Sequence, residues 1–421
     1  MLLLCFACGP KPPVRTALEG DLAALRHDIA QAQAEHSLSD SRVADLAQAV
    51  ATREIWSTEG ALGAARVRSL RGCQGALADI LEKRAKGDDD VAAEATVALL
   101  ELHRVNAERI TERYSNATQP SFRALAARAA TRPADSALRL RFYADADQRV
   151  RRGALVSAVA ARQPSELAAL LEAGRLDPEP VNRSLAVRAA GAIGGEQAVL
   201  GLKDLWARAD TTLRLAIVDA WAEPASLRAG GVRELAVAAD QNASLASISA
   251  AYELSRTGGD EAAAGAARLV RALGPGVADE RRLALALVPL TSESLPAVRK
   301  LTSDADLAIA VAAYGRLLAV PSEHAQALDA LRKIAGRESH SATEQRSIDD
   351  ARSLLAVEGE QSLGASFVAE LSAKAPESRH RAASALIQLA RLADAATALA
   401  DADPDVRSGV ACEILSKRAR D

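Results

Sequence analysis

The residues best able to do chemistry in this chain are its cysteines, histidines and acidic clusters, and their spacing argues against catalysis. There are four cysteines, Cys5, Cys8, Cys73 and Cys412. Cys5 and Cys8 make a literal C-x-x-C, but it lies in an apolar N-terminal run, and no second pair of cysteines or histidines is spaced to complete a zinc site with it. The histidines, His27, His36, His103, His324, His340 and His380, are scattered. Asp88-Asp89-Asp90 lacks the alternating ligands and the glycine of a calcium loop, and reads as a solvated turn that caps a helix. No glycine-rich phosphate loop and no G-x-S-x-G elbow occurs. The expectation is a protein with no catalytic residue, no metal and no cofactor.

Binding chemistry is easier to place. Residues 101–160 hold 11 arginines against 6 acidic residues, in a chain whose net charge is −3 and whose pI is about 6.2. Arg139, Arg141, Arg149 and Arg152 cluster beside Phe142 and Tyr143. Such a patch could meet phospholipid headgroups or an acidic protein, or it could be a solvated helix start. A general nucleic-acid binder carries a basic excess, so nucleic acid is not an expected partner. Trp206 and Trp221 are candidates for a partner-binding surface, since tryptophan is favoured at interface hot spots, and equally for core filling.

The elements that must position these residues follow from alanine. The chain has 97 alanines in 421 residues, with aromatics at 3%. Alanine is the best helix former, whereas strands prefer β-branched and aromatic side chains. Leu18, Leu22, Leu25 and Ile29 recur at helical spacing, as do Val43, Leu46 and Val50. Residues 15–115 therefore read as an N-terminal helical region, and Asn116 to Pro120 as a break. From about residue 140 a repeat emerges. Asp145 and Arg151, Asp177 and Arg183, and Asp401 and Arg407 stand six residues apart, each pair leading into an alanine-rich helix. Weaker copies give a mean spacing of roughly 32 residues, the length of a two-helix unit.

These units resemble HEAT repeats, particularly the short PBS-lyase HEAT-like variety, over residues 120–421. The resemblance rests on the Asp-to-Arg spacing and on the turn Gly191-Ala192-Ile193-Gly194. It implies an all-α fold, a right-handed alpha-alpha superhelix of stacked helix pairs, with residues 15–115 as divergent repeats or a cap. It also implies that Asp145, Arg151, Asp177, Arg183, Asp401 and Arg407 tie neighbouring repeats together. Metal-dependent members use His-Glu pairs, whereas Glu35-His36 and Glu323-His324 run in reverse.

The first residues, Met1 to Gly9, resemble the end of a bacterial lipoprotein signal, with Ala7 before an acceptor Cys8 and the tether Gly9-Pro10-Lys11-Pro12-Pro13 after it. Residues 1–14 would then be a truncated signal and tether. The expected location is the bacterial cell envelope, anchored by lipid at Cys8, or the cytoplasm if this segment is no signal. The expected function is a non-enzymatic scaffold that binds another protein at the membrane. The alternative is a HEAT-like enzyme or cofactor-handling protein, bilin lyase-like or DNA-lesion-binding, which would need a pocket with convergent polar and aromatic groups.

Overall fold

A computed structural model describes residues 13–241 and 244–419. The protein is all-helical, 76% helix, with no strand among the described residues. It divides into two compact units: residues 1–106 together with 352–421, and residues 107–351. Packing thus follows a different division from the sequence break at residues 116–120.

In the unit of residues 107–351, one row of helices packs in chain order. It runs through Pro120–Ala129, Gln148–Ala161, Pro180–Ile193, Thr211–Ala222, Leu245–Ser255, Ala278–Leu287 and Leu307–Leu317. A second row begins Ser136–Tyr143, Leu167–Leu176 and Glu196–Trp206, again in order. Helix starts follow their capping residues. Asp147, Asp210 and Asp306 each accept a hydrogen bond from a backbone N–H of the first turn, which satisfies a donor that the helix cannot. Pro120 and Pro180 open their helices at positions where a missing N–H costs nothing. Gly194 and Gly195 turn the chain at φ 70° and 86°, which only glycine adopts freely.

Alanine sets the distance between these helices. Ala186, Ala189 and Ala190 are fully buried on Pro180–Ile193, as is Ala220 on the neighbouring helix. A Cβ on Gly191 would lie 2.5 Å from the Ala220 Cα, so the two backbones meet where neither residue has bulk. The larger core residues come from between the rows: Leu155, Leu170, Val187, Leu202, Ile217 and Trp221.

In the other unit, the N-terminal helices pack on the C-terminal ones. Leu25, Ile29, Val43, Leu46, Ile55 and Leu77 share a core with Leu386, Leu399, Val410 and Ile414. A disulfide joins Cys73 to Cys412 across 339 residues of chain.

Candidate functional site

The six-residue Asp-to-Arg spacing has a geometric cause. Each arginine is the fourth residue of its helix, and its Nη1 donates back to the carbonyl of the residue six positions earlier. Arg151 donates to the Asp145 carbonyl at 2.9 Å, Arg183 to that of Asp177 at 3.0 Å and Arg407 to that of Asp401 at 2.7 Å. The Nε and Nη2 edge then faces the next repeat. Arg151 grips the Asp177 carboxylate at 2.8 and 3.3 Å. The aspartate in turn folds its own turn, accepting from the N–H two residues on, as Asp177 does from Glu179 at 2.9 Å. Burial alone would raise the Asp177 carboxyl, but Arg151 and the turn amide hold it below its ordinary value.

Two further arginines do the same work without an aspartate six positions before them. Arg123 donates to the Ala117 carbonyl and binds Asp145 at 3.0 and 3.2 Å. Arg379 donates to the Ala373 carbonyl and binds Asp401 at 2.6 and 2.8 Å. The available sequence signal was an arginine three residues after the first helical residue, as in Pro120 to Arg123 and Pro376 to Arg379. The last rung also has an unexpected partner. Arg407 binds Glu54 on the N-terminal helix Asp40–Ser57 at 2.9 and 2.7 Å.

The structure distributes the proposed partner-binding residues differently from their sequence neighbourhood. Arg139 is not a surface residue. It is 0% exposed, doubly bonded to the buried Glu166 at 2.6 and 3.1 Å, and it donates to the carbonyls of Ala130 and Arg132. Each of its three guanidinium nitrogens finds an acceptor there, so the residue closes the interior instead of offering charge to a partner. Tyr143 donates to the same carboxylate. Burial pushes Glu166 up, and its bonds from Arg139 and Tyr143 outweigh that and hold it low; the Tyr143 hydroxyl is pushed up by burial and by Glu166. Arg141 donates to the Ser115 carbonyl, Arg149 pairs with Asp147, and Arg152 reaches Asn182 at 3.4 Å. The four arginines therefore serve four local contacts and converge on no common point.

Trp206 and Trp221 do come together. Their ring centroids are 5.2 Å apart, at the ends of adjacent helices. Trp221 is 1% exposed and is a core residue, not a free surface anchor, and its indole N–H meets no acceptor among the described residues. Trp206 is half-buried and has the Arg214 guanidinium 5.3 Å from its ring centroid. The pair borders an open groove of about 880 Å³ whose charged lining includes Arg175, Arg183, Lys203 and Arg208 with Asp204, Asp210 and Glu234. Lys203 and Glu234 pair at 3.0 Å, while Arg183 and Asp210 stand 3.8 Å apart.

No protein-family profile matches the chain, and no curated protein matches it. Among the described residues no group of three or more His, Cys, Asp and Glu side chains is placed to hold a metal ion, and no helix is long and apolar enough to cross a membrane. Cys8 lies outside the described residues.

Proposed function

We propose that this protein is a non-enzymatic interaction scaffold, a HEAT-like superhelix of stacked helix pairs held to a bacterial membrane by lipid on Cys8. The observation that carries the reading is the arginine ladder. A rigid register of this kind holds successive helices at fixed offsets and so presents an extended surface to another protein. The Trp206 groove gives that surface one concave site where apolar and charged groups are exposed together. The Cys73–Cys412 disulfide supports an envelope location, because such bonds persist in oxidising compartments and are rare in the cytosol.

The test is capture from bacterial membranes with a tagged full chain under a photo-crosslinker. One protein should co-purify in stoichiometric amount, and a fatty-acid label should be lost in Cys8→Ser. A cytosolic, unlabelled protein that recovers no stoichiometric partner would remove the reading.

A further inference from the structure

Where the ladder runs past Trp206, its sign inverts. In three repeats the residue two before the capping acid is itself an aspartate: Asp145 before Asp147, Asp304 before Asp306, and Asp401 before Asp403. Asp177 stands at the same place before Glu179. Asp145, Asp177 and Asp401 receive the Nε and Nη2 edge of the preceding repeat's arginine, and Asp304 also takes its arginine, Arg281. In the repeat that opens at Asp210, the corresponding position is Arg208.

The consequence is visible at Arg183. Its Nη1 donates to the Asp177 carbonyl, as those of Arg123, Arg151, Arg379 and Arg407 donate to theirs, but its Nε and Nη2 make no hydrogen bond among the described residues. The one carboxylate within ion-pair distance among the described residues is Asp210, at 3.8 Å, which is committed to capping its helix through the Leu213 N–H. Asp210 is 60% exposed, whereas Asp145, Asp177, Asp401 and Glu54, which fill the other rungs, are 4–14% exposed. The next ladder arginine is also without an acid. Arg214 is the fourth residue of its helix, as Arg151 and Arg407 are of theirs, yet it lies over Trp206 and forms no ion pair among the described residues.

We propose that the Trp206 groove binds a carboxylate-bearing peptide segment, with the carboxylate on the open edge of Arg183 beside Arg208 and an apolar neighbour against Trp206. This rests on the reading of the chain as an interaction scaffold. The arginine fork matches a carboxylate bidentately, and three rungs of this same protein use it so, those of Arg123, Arg151 and Arg379, while Arg407 sets both nitrogens on one oxygen of Glu54. The groove favours a single negative charge over a phosphate dianion, because Asp204, Asp210 and Glu234 offset most of the charge of Arg175, Arg183, Lys203 and Arg208. Val237, 51% exposed at the rim, extends the apolar side.

The full chain can be titrated with the blocked peptide acetyl-Ala-Leu-Glu-Leu-Ala-amide and followed by tryptophan fluorescence, since two of the three tryptophans border the groove. A saturable change is expected, with the Gln peptide about tenfold or more weaker, as a charge-assisted contact requires. Arg208→Asp restores the acid that the other repeats carry. It should abolish Glu-peptide binding while leaving the melting temperature unchanged or higher, which a merely structural residue would not do. Equal affinity for the Glu and Gln peptides, tighter binding of a phosphoserine peptide, or undiminished binding by a folded Arg208→Asp would each overturn the assignment. So would failure of the Glu peptide to bind. In that case stoichiometric capture from membranes, if retained, shows that the scaffold reading survives and the groove alone is wrong.

Discussion

Arg139 shows how the same residue type can be surface charge by its sequence and core by its packing. Its guanidinium and Glu166 are both essentially unexposed, and Tyr143 completes the network. Removing one member of such a set leaves the other charge buried and unmatched, which costs about 3–5 kcal/mol. Arg139→Met should therefore lower the unfolding free energy by roughly that amount in a urea titration. Adding Glu166→Gln should recover a large part of the loss, and a double variant as unstable as the single one would contradict this account. His380 gives a pH-dependent case. Its Nε2 lies 3.1 Å from Glu413, which holds the imidazolium and raises its pKa above the ordinary 6.5, against the opposing effect of burial. A raised histidine adds stability that is full below the unfolded pKa and fades as pH rises through the folded one. Wild type should thus exceed Glu413→Gln in urea midpoint most at pH 5.5, and the gap should shrink by pH 8.5. A gap that widens with pH would refute the assignment.

At the scale of the helix, glycine and alanine decide how close two repeats can lie. Gly191→Ala would gain up to about 1 kcal/mol in helix propensity. The added methyl would also stand 2.5 Å from Ala220 Cα and Cβ, and overpacking of that kind costs about 1–3 kcal/mol. We expect net destabilisation in thermal melts, with Gly276→Ala, which meets nothing within 4 Å, close to neutral. A Gly191→Ala protein as stable as wild type would mean that the helices part easily there. The helices themselves were legible because caps, prolines and apolar spacing are local signals. The Asp-to-Arg pairs were legible for a related reason: one bond of each, to a carbonyl six residues earlier, is local. The other bond crosses about 22 to 26 residues to the next repeat, and nothing in a single repeat names its acceptor. Arg123 and Arg379 were missed because alanine, not aspartate, stands six positions before each, and a backbone carbonyl accepts the bond whatever its side chain. The clustering of Arg139, Arg141, Arg149 and Arg152 in sequence misled because helix rotation sends each to a different neighbour.

For the whole chain, the decisive contacts are those that no local pattern encodes. Cys73 and Cys412 are separated by 339 residues and carry no motif, yet they are bonded, and Arg407 closes its rung on Glu54 in the same unit. Cys73 sits in the N-terminal region and Cys412 in the last helix, so the bond restrains a loop that is most of the protein. In the chain-entropy description such a loop removes on the order of 5 kcal/mol of unfolded-state freedom, and losing a native disulfide typically costs 2–5 kcal/mol. Wild type purified from an oxidising compartment should therefore yield a linked Cys73–Cys412 peptide on digestion and lose melting temperature under dithiothreitol. Cys73→Ser should melt at the reduced wild-type temperature and show no response to the reductant. A wild type whose two thiols alkylate freely before reduction would remove the bond, and with it the structural support for an envelope location. If the bond is present but its loss leaves the melt unchanged, the shared core of Ile55, Leu77, Leu399 and Ile414 holds the two ends together without it.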